Sequence, residues 1–210
     1  QTLGPAYTWK TDVGLGGPLS AQGVLNGPLY VKGRGDPALV LERVQLMMSR
    51  IRAAGLHDIH GDLILDRQQF SLPSHDPAAF DGQTLKPYNA GPDALLLNHR
   101  ALVLRFRPDV ARPHQVRISM EPQLSGMRLV NRVSLKESSA CGDWREALTL
   151  SLSPDASSKP IKGGAPKRRT WTIEVGGHYA KACLEKDWPL LWTGDDELDY
   201  ADRLLSATWQ

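Results

Sequence analysis

The chain has 210 residues, enough for one large or two small domains with a sizeable buried core. Its 25 Lys and Arg stand against 23 Asp and Glu, and the resulting net charge of +2 is too small to argue for a polyanionic partner such as nucleic acid. No stretch approaches the roughly 18 uninterrupted apolar residues of a membrane-spanning helix.

In chain order, residues 7 to 13 read as a strand. Gly23-Val24-Leu25-Asn26-Gly27-Pro28-Leu29-Tyr30-Val31 then reads as a β-hairpin closed by Asn26-Gly27, the pair that tolerates the positive φ angles of a tight hairpin turn. Beyond Gly33 and Gly35, Asp36 is placed to cap a helix with Pro37 at its first position. Val40, Val44, Met47, Met48 and Ile51 give that helix a single apolar stripe, and Gly55 falls at its left-handed C-terminal cap. Ile59, Leu63 and Leu65 alternate with Asp58, His60, Asp62 and Asp66 as a half-buried strand should. Strand, strand, helix and strand predict a small α/β layer.

Residues 71 to 92, rich in Pro, Gly, Asp and Ser, read as a long loop of the kind that is usually functional or disordered. Runs of strand type follow at 102–106, 116–120, 129–135, 147–152 and 170–175, which suggests a small antiparallel β domain. Residues 153 to 169 look like an exposed hairpin tip within it. Asp195-Asp196-Glu197 then leads into a last helix with Leu198, Ala201, Leu204, Leu205 and Thr208 on one face. The expected class is therefore α+β and strand-rich.

Four short constellations carry the letters of a chemistry but not its geometry. On a strand, His57 and His60 fall on opposite faces, and Asp58, Asp62 and Asp66 read as a solvated edge rather than a metal site. Ser74-His75-Asp76 are adjacent, whereas the members of a serine–histidine–aspartate relay converge from separate segments. Gly35 and Asp36 of Arg34-Gly35-Asp36 are already assigned to a turn and a cap. Lys159, Lys162, Lys167, Arg168 and Arg169 are interrupted by Pro160, Gly163, Gly164 and Pro166, so they form no helical basic face; they read as a solvated loop, or as a weak contact to an anionic envelope polymer.

Several blocks resemble one family in the right order. The segment from Gly23 to Pro37 is similar to the "G-x-L-x-G-x-L-y-x-x-G-x-G-D-P-x-L" of the class C penicillin-binding proteins, the D-alanyl-D-alanine carboxypeptidase/endopeptidases. Leu3-Gly4-Pro5-Ala6-Tyr7-Thr8-Trp9-Lys10-Thr11 resembles the end of the nucleophile-bearing helix and the strand after it. Residues 55–66 with Phe70, and Pro87-Tyr88-Asn89-Ala90-Gly91-Pro92-Asp93-Ala94-Leu95-Leu96-Leu97-Asn98, resemble two further family blocks.

Catalysis in that family needs Ser-x-x-Lys, Ser-x-Asn and Lys-Thr-Gly. No Ser lies three positions before any Lys or two before any Asn, and Lys162-Gly163-Gly164 lacks the hydroxyl. The resemblance thus implies a non-catalytic region inserted between the first two motifs of a periplasmic serine peptidase acting on peptidoglycan, with no cofactor or metal. It implies residues 1–11 as the end of the transpeptidase-type domain, 12–98 as a first inserted α+β domain, 99–192 as a second, mainly β domain, and 193–210 as a helix returning to the transpeptidase-type domain, its apolar face without a cover here. Two cysteines permit one disulfide or two buried thiols; in the family a pair sits at about these places, which implies a Cys141–Cys183 disulfide and an oxidising compartment. An acidic and an aromatic residue at the rim of the family's cleft resemble a subsite for the diamino acid side chain of the stem peptide; Asp81, or alternatively Asp76, and Tyr88 match them, with Phe80 where a Trp is common. Two rival classes remain: a stand-alone envelope-binding module, in which the last helix would have its apolar face covered, and an inactive paralogue.

Overall fold

The computed structural model describes residues 4, 6–155, 169–194 and 197–209, without the side chains of 197 and 198. They form two compact units: Gln1–Ala101 with Leu191–Gln210, and Leu102–Leu190. The strand-rich α+β class read from the sequence is present.

The first unit contains β1 (Asp12–Leu15), β2 (Val24–Leu25), β3 (Leu29–Lys32), α1 (Leu41–Ala53), β4 (Asp58–Ile59), β5 (Leu63–Asp66) and α2 (Glu197–Thr208). One sheet has the order β1-β3-β5, with β1 antiparallel and β5 parallel to β3; β2 and β4 form a second, parallel pair. A hairpin is present, but Asn26-Gly27 does not close it. The turn is at residues 20–23, where Gly23 N donates to Ser20 O at 2.9 Å and Val24 N to the Ser20 hydroxyl at 3.1 Å. Gly23 has φ +78°, which a residue with a side chain adopts only under strain. Asn26-Gly27 lies within the second arm, between β2, which pairs with β4, and β3, which pairs with β1 and β5. Asn26 N still pairs back to Pro18 O at 3.0 Å. The strand expected across 59–65 breaks at the matching place: His60 N bonds Leu25 O at 2.8 Å, and Leu29 N bonds Asp62 O at 2.9 Å.

Helix α1 begins later than Asp36-Pro37 suggests. The Asp36 carboxylate accepts Ala38 N at 2.9 Å and closes a local turn before the helix. The Leu41 amide at the helix start is instead satisfied by the Asn98 side-chain oxygen at 3.1 Å, a cap supplied from far along the chain. Val44 and Met48 are buried, and Gly55 takes φ +96° just after the helix, as its position predicts.

The apolar face of α2 is covered, contrary to the expectation that it lacks a partner here. Tyr200, Ala201, Leu204 and Leu205 are all buried, and α2 contacts α1 and β5. Trp209 packs on the Leu25–Leu29–Leu56 cluster with the Arg52 guanidinium 4.7 Å from its ring centroid. Burial of these side chains is what holds the C-terminal stretch in this unit.

The second unit holds β6 (Ala101–Pro108), β7 (Val116–Glu121), β8 (Met127–Lys136), β9 (Leu148–Pro154), β10 (Trp171–Ala180) and β11 (Lys186–Leu191), in sheets of order β11-β6-β7 and β8-β10-β9. Pairing is antiparallel between β6 and β7 and between β9 and β10; β8 and β10 run parallel over ten residue pairs. Phe106 of β6 stacks on Tyr179 of β10 at 5.7 Å between centroids, and Trp144 meets both rings edge-on. Burial there pushes the Tyr179 phenol up to about 12. Cys141 and Cys183 are joined in a disulfide. The hairpin tip expected at 153–169 starts later, because Ser153 and Pro154 still belong to β9 and pair with Thr172 and Trp171; residues 156–168, with all of the basic run but the exposed Arg169, lie outside the described residues. At the junction, Trp192 N bonds Arg100 O at 2.8 Å, so the chain leaves this unit beside the point where it entered.

Candidate functional site

The long loop read from residues 71–92 has neither strand nor α-helix, only a single helical turn at Pro87–Asn89. It is held at both ends. The Arg67 guanidinium pairs with the Asp93 carboxylate at 2.7 Å, and Leu191 N bonds Leu85 O at 2.8 Å. In the middle, the His75 ring Nε2 lies 2.8 Å from Asn89 O, and a side chain at Gly91 would overlap the imidazole.

Within this frame Asp81 and Tyr88 meet. The Tyr88 hydroxyl donates to Asp81 Oδ2 at 2.6 Å, while Asp81 Oδ1 accepts from Gln83 N at 2.9 Å and Asn89 Nδ2 at 2.8 Å. The Tyr88 hydrogen bond, then that of the Gln83 amide, holds the Asp81 carboxyl below the usual carboxylate range. The same bond pushes the Tyr88 phenol up. Asp81 therefore closes a turn and anchors a phenol together. Tyr88 is 64% exposed, and its ring is free to be covered by something else.

A carboxylate offers about four lone-pair sites, so three donors leave Asp81 room for one more, and an ammonium suits a group held ionised. The exposed ring alongside suits the methylenes that lead to such an ammonium. Asp76 does not join this arrangement; its carboxylate closes its own turn by accepting Ala78 N at 2.8 Å. Phe80, 83% exposed, has no ring partner among the described residues. Asn89, which sequence reading quoted but gave no role, is the buried residue that fixes Asp81, through one amide nitrogen shared between Asp81 and Gln83 O.

The other constellations stay apart. His60 pairs with Asp58 at 3.3 Å with both side chains largely exposed, and among the described residues no group of three His, Cys, Asp or Glu could hold a metal ion. Arg34 pairs with Asp12. No helix among the described residues is long and apolar enough to cross a membrane.

Residues 1–195 match the family model of D-Ala-D-Ala carboxypeptidase 3 (S13). The chain belongs to this family. A D-alanyl-D-alanine carboxypeptidase of Actinomadura sp. (strain R39) is 29% identical over 91 residues, which are 40% of this chain and 17% of that protein. The fold is similar to part of penicillin binding protein 4 from Haemophilus influenzae: one crystal structure superposes on 97% of this chain and 40% of its own with a TM-score of 0.61 at 16% identity. A second, in complex with a β-lactam, gives a TM-score of 0.56 over 97% of this chain and 38% of its own at 17% identity. The chain thus spans well under half the length of the S13 relatives it matches, and the resemblance to class C penicillin-binding proteins read from its blocks stands.

Proposed function

We propose that this chain is a non-catalytic region of a longer, exported, serine-type D-alanyl-D-alanine carboxypeptidase/endopeptidase that acts on peptidoglycan stem peptides and their cross-links. The observation that carries the reading is the S13 match across residues 1–195 in a chain without Ser-x-x-Lys, Ser-x-Asn or Lys-Thr-Gly. In the longer enzyme a serine that gives its proton to a neighbouring lysine attacks the D-Ala-D-Ala carbonyl. The peptide bond breaks as the terminal D-Ala leaves with a proton on its amine, and water hydrolyses the acyl-enzyme ester to free the shortened peptide and the serine. In this reading residues 12–98 and 99–192 are two inserted domains, with 1–11 and 193–210 joining them to the transpeptidase-type domain.

The part these residues play is to recognise a side chain. Asp81 receives the free ammonium of the diamino acid in the stem peptide, and the Tyr88 ring packs on its methylenes. The ionised state of Asp81 and the exposure of Tyr88 support that assignment. The periplasm is the compartment this implies, in keeping with the disulfide.

One observation favours a second reading, a self-sufficient envelope-binding module: the apolar face of α2 is buried within the chain. Labelling with a fluorescent penicillin separates the two. The longest natural product of the gene labels and the 210-residue chain does not, if the first reading is right. If neither labels, the peptidase reading falls and the binding module or an inactive paralogue takes its place. Labelling of the 210-residue chain itself would overturn the claim that it is non-catalytic.

A further inference from the structure

Strand β1 is the edge of the β1-β3-β5 sheet, and its outer backbone edge has no strand partner among the described residues. Val13 and Leu15 stand in register with Val31 and Leu29, on the sheet face that buries those two residues almost completely. Yet Val13 is 37% and Leu15 48% exposed. On that face Ile51 of α1 packs against the cluster that holds Leu29 of β3. A groove of about 550 Å³ is left between β1 and the flank of α1, with Val13, Leu15, Met47, Ile51 and Trp9 among its walls.

The groove has a sign. Arg43 and Arg50 line it and are exposed, and neither has an ion-pair partner among the described residues. One acidic wall residue, Asp36, stands against them with its carboxylate turned to Ala38 N, so the lining keeps a net positive charge. Of the devices that ordinarily blunt a sheet edge, β1 is short and carries Asp12 at its start, but it has no proline and no charge on the face of Val13 and Leu15.

We propose that β1 and this groove dock an extended, acidic segment of a separate protein by strand addition. The incoming backbone pairs with the free edge of β1, an apolar side chain enters between β1 and α1, and two carboxylates reach Arg43 and Arg50. The spacing fits: seven helical residues put the two arginines about 10 Å apart along α1. Inward-facing residues four apart on a strand stand about 13 Å apart, within reach of two flexible guanidiniums. The expected pattern is therefore acidic-x-apolar-x-acidic. A second copy of this chain is the poorer occupant, because a two-fold contact brings a second pair of arginines to the first. The inference goes beyond the peptidase reading and does not depend on it.

Fluorescence anisotropy of labelled Thr-Glu-Thr-Leu-Thr-Glu-Thr and Thr-Lys-Thr-Leu-Thr-Lys-Thr peptides with the 210-residue chain tests it. The acidic peptide binds saturably and more weakly as salt is added, and the basic one does not bind. Together, Arg43→Glu and Arg50→Glu weaken the acidic peptide at least about tenfold and let the basic one bind. Val13→Glu abolishes binding while leaving the melting temperature near that of the parent chain. Binding of neither peptide, or binding indifferent to the two arginine substitutions, overturns the proposal. A concentration-dependent dimer abolished by Val13→Glu replaces it with a second copy. If the longest gene product refuses a peptide that the 210-residue chain binds, that protein's own chain fills the groove, and the separate partner is overturned.

Discussion

Asn98 ties three stretches of the first unit together with one side chain. Its oxygen accepts the Leu41 amide at 3.1 Å, and its nitrogen donates to Ala101 O at 2.9 Å and to the buried Tyr200 hydroxyl at 3.0 Å. Its own backbone sits at φ 45°, a left-handed conformation that Asn tolerates better than most residues. Asn98→Ala removes a helix cap, leaves buried polar groups without partners and adds strain, so it should cost about 2–3 kcal/mol. Urea denaturation of the two chains measures this; a loss below about 1 kcal/mol would mean that the cap is replaceable. The Asp81–Tyr88 pair makes a prediction in pH. The phenol is raised, so its bond is intact below the ordinary tyrosine pKa of about 10 and lost as pH rises through the raised value. The carboxyl is lowered, so the bond is intact at neutral pH and weakens only as pH falls through that depressed value. In Asp81→Asn the Tyr88 titration, followed by NMR of labelled tyrosine, should fall back towards about 10.

Between elements, the contrast that matters is Gly23 against Asn26. A side chain at Gly23 would overlap the His57 ring and meets an unfavourable φ, so Gly23→Ala should cost at least about 2 kcal/mol. Asn26→Ala, at an exposed position outside the turn, should cost under about 0.5 kcal/mol. Thermal melts of the two variants check both, and equal losses would put the turn back at Asn26-Gly27. The misplacement has a physical origin. Asn-Gly is a local signal, whereas the hairpin is set by which residues of 12–20 pair with 24–32, and the true turn has only the weak Gln22-Gly23 letters. Asp36-Pro37 misled in the same way, because the cap of α1 comes from Asn98. Elements resting on periodicity, such as the α1 stripe, its Gly55 cap and most strands of the second unit, were legible. So were the letters of the loop. The role of Asn89 was not, since it depends on how that loop closes on itself, and neither was the groove, which depends on β1 ending a sheet.

For the whole molecule, the disulfide lies wholly within the second unit and closes a separation of 42 residues. Replacing Cys141 and Cys183 by Ala should destabilise that unit by about 2–4 kcal/mol through the larger freedom of its unfolded chain. Hydrogen exchange followed unit by unit should show the loss in 102–190 and leave α1 and β3 protected as before; a uniform loss would mean that the two units unfold as one.

The first unit is assembled from two stretches of chain with all of Leu102–Leu190 between them. For α2 to reach α1, Arg100 and Trp192 must come together, and an unstructured intervening chain resists that closure entropically. Once β6 and β11 lie side by side, the folded second unit holds its two ends as neighbours and removes most of this cost. The core of the first unit is therefore complete only when residues 12–98 and the final helix are together, and a folded insert makes that meeting less costly.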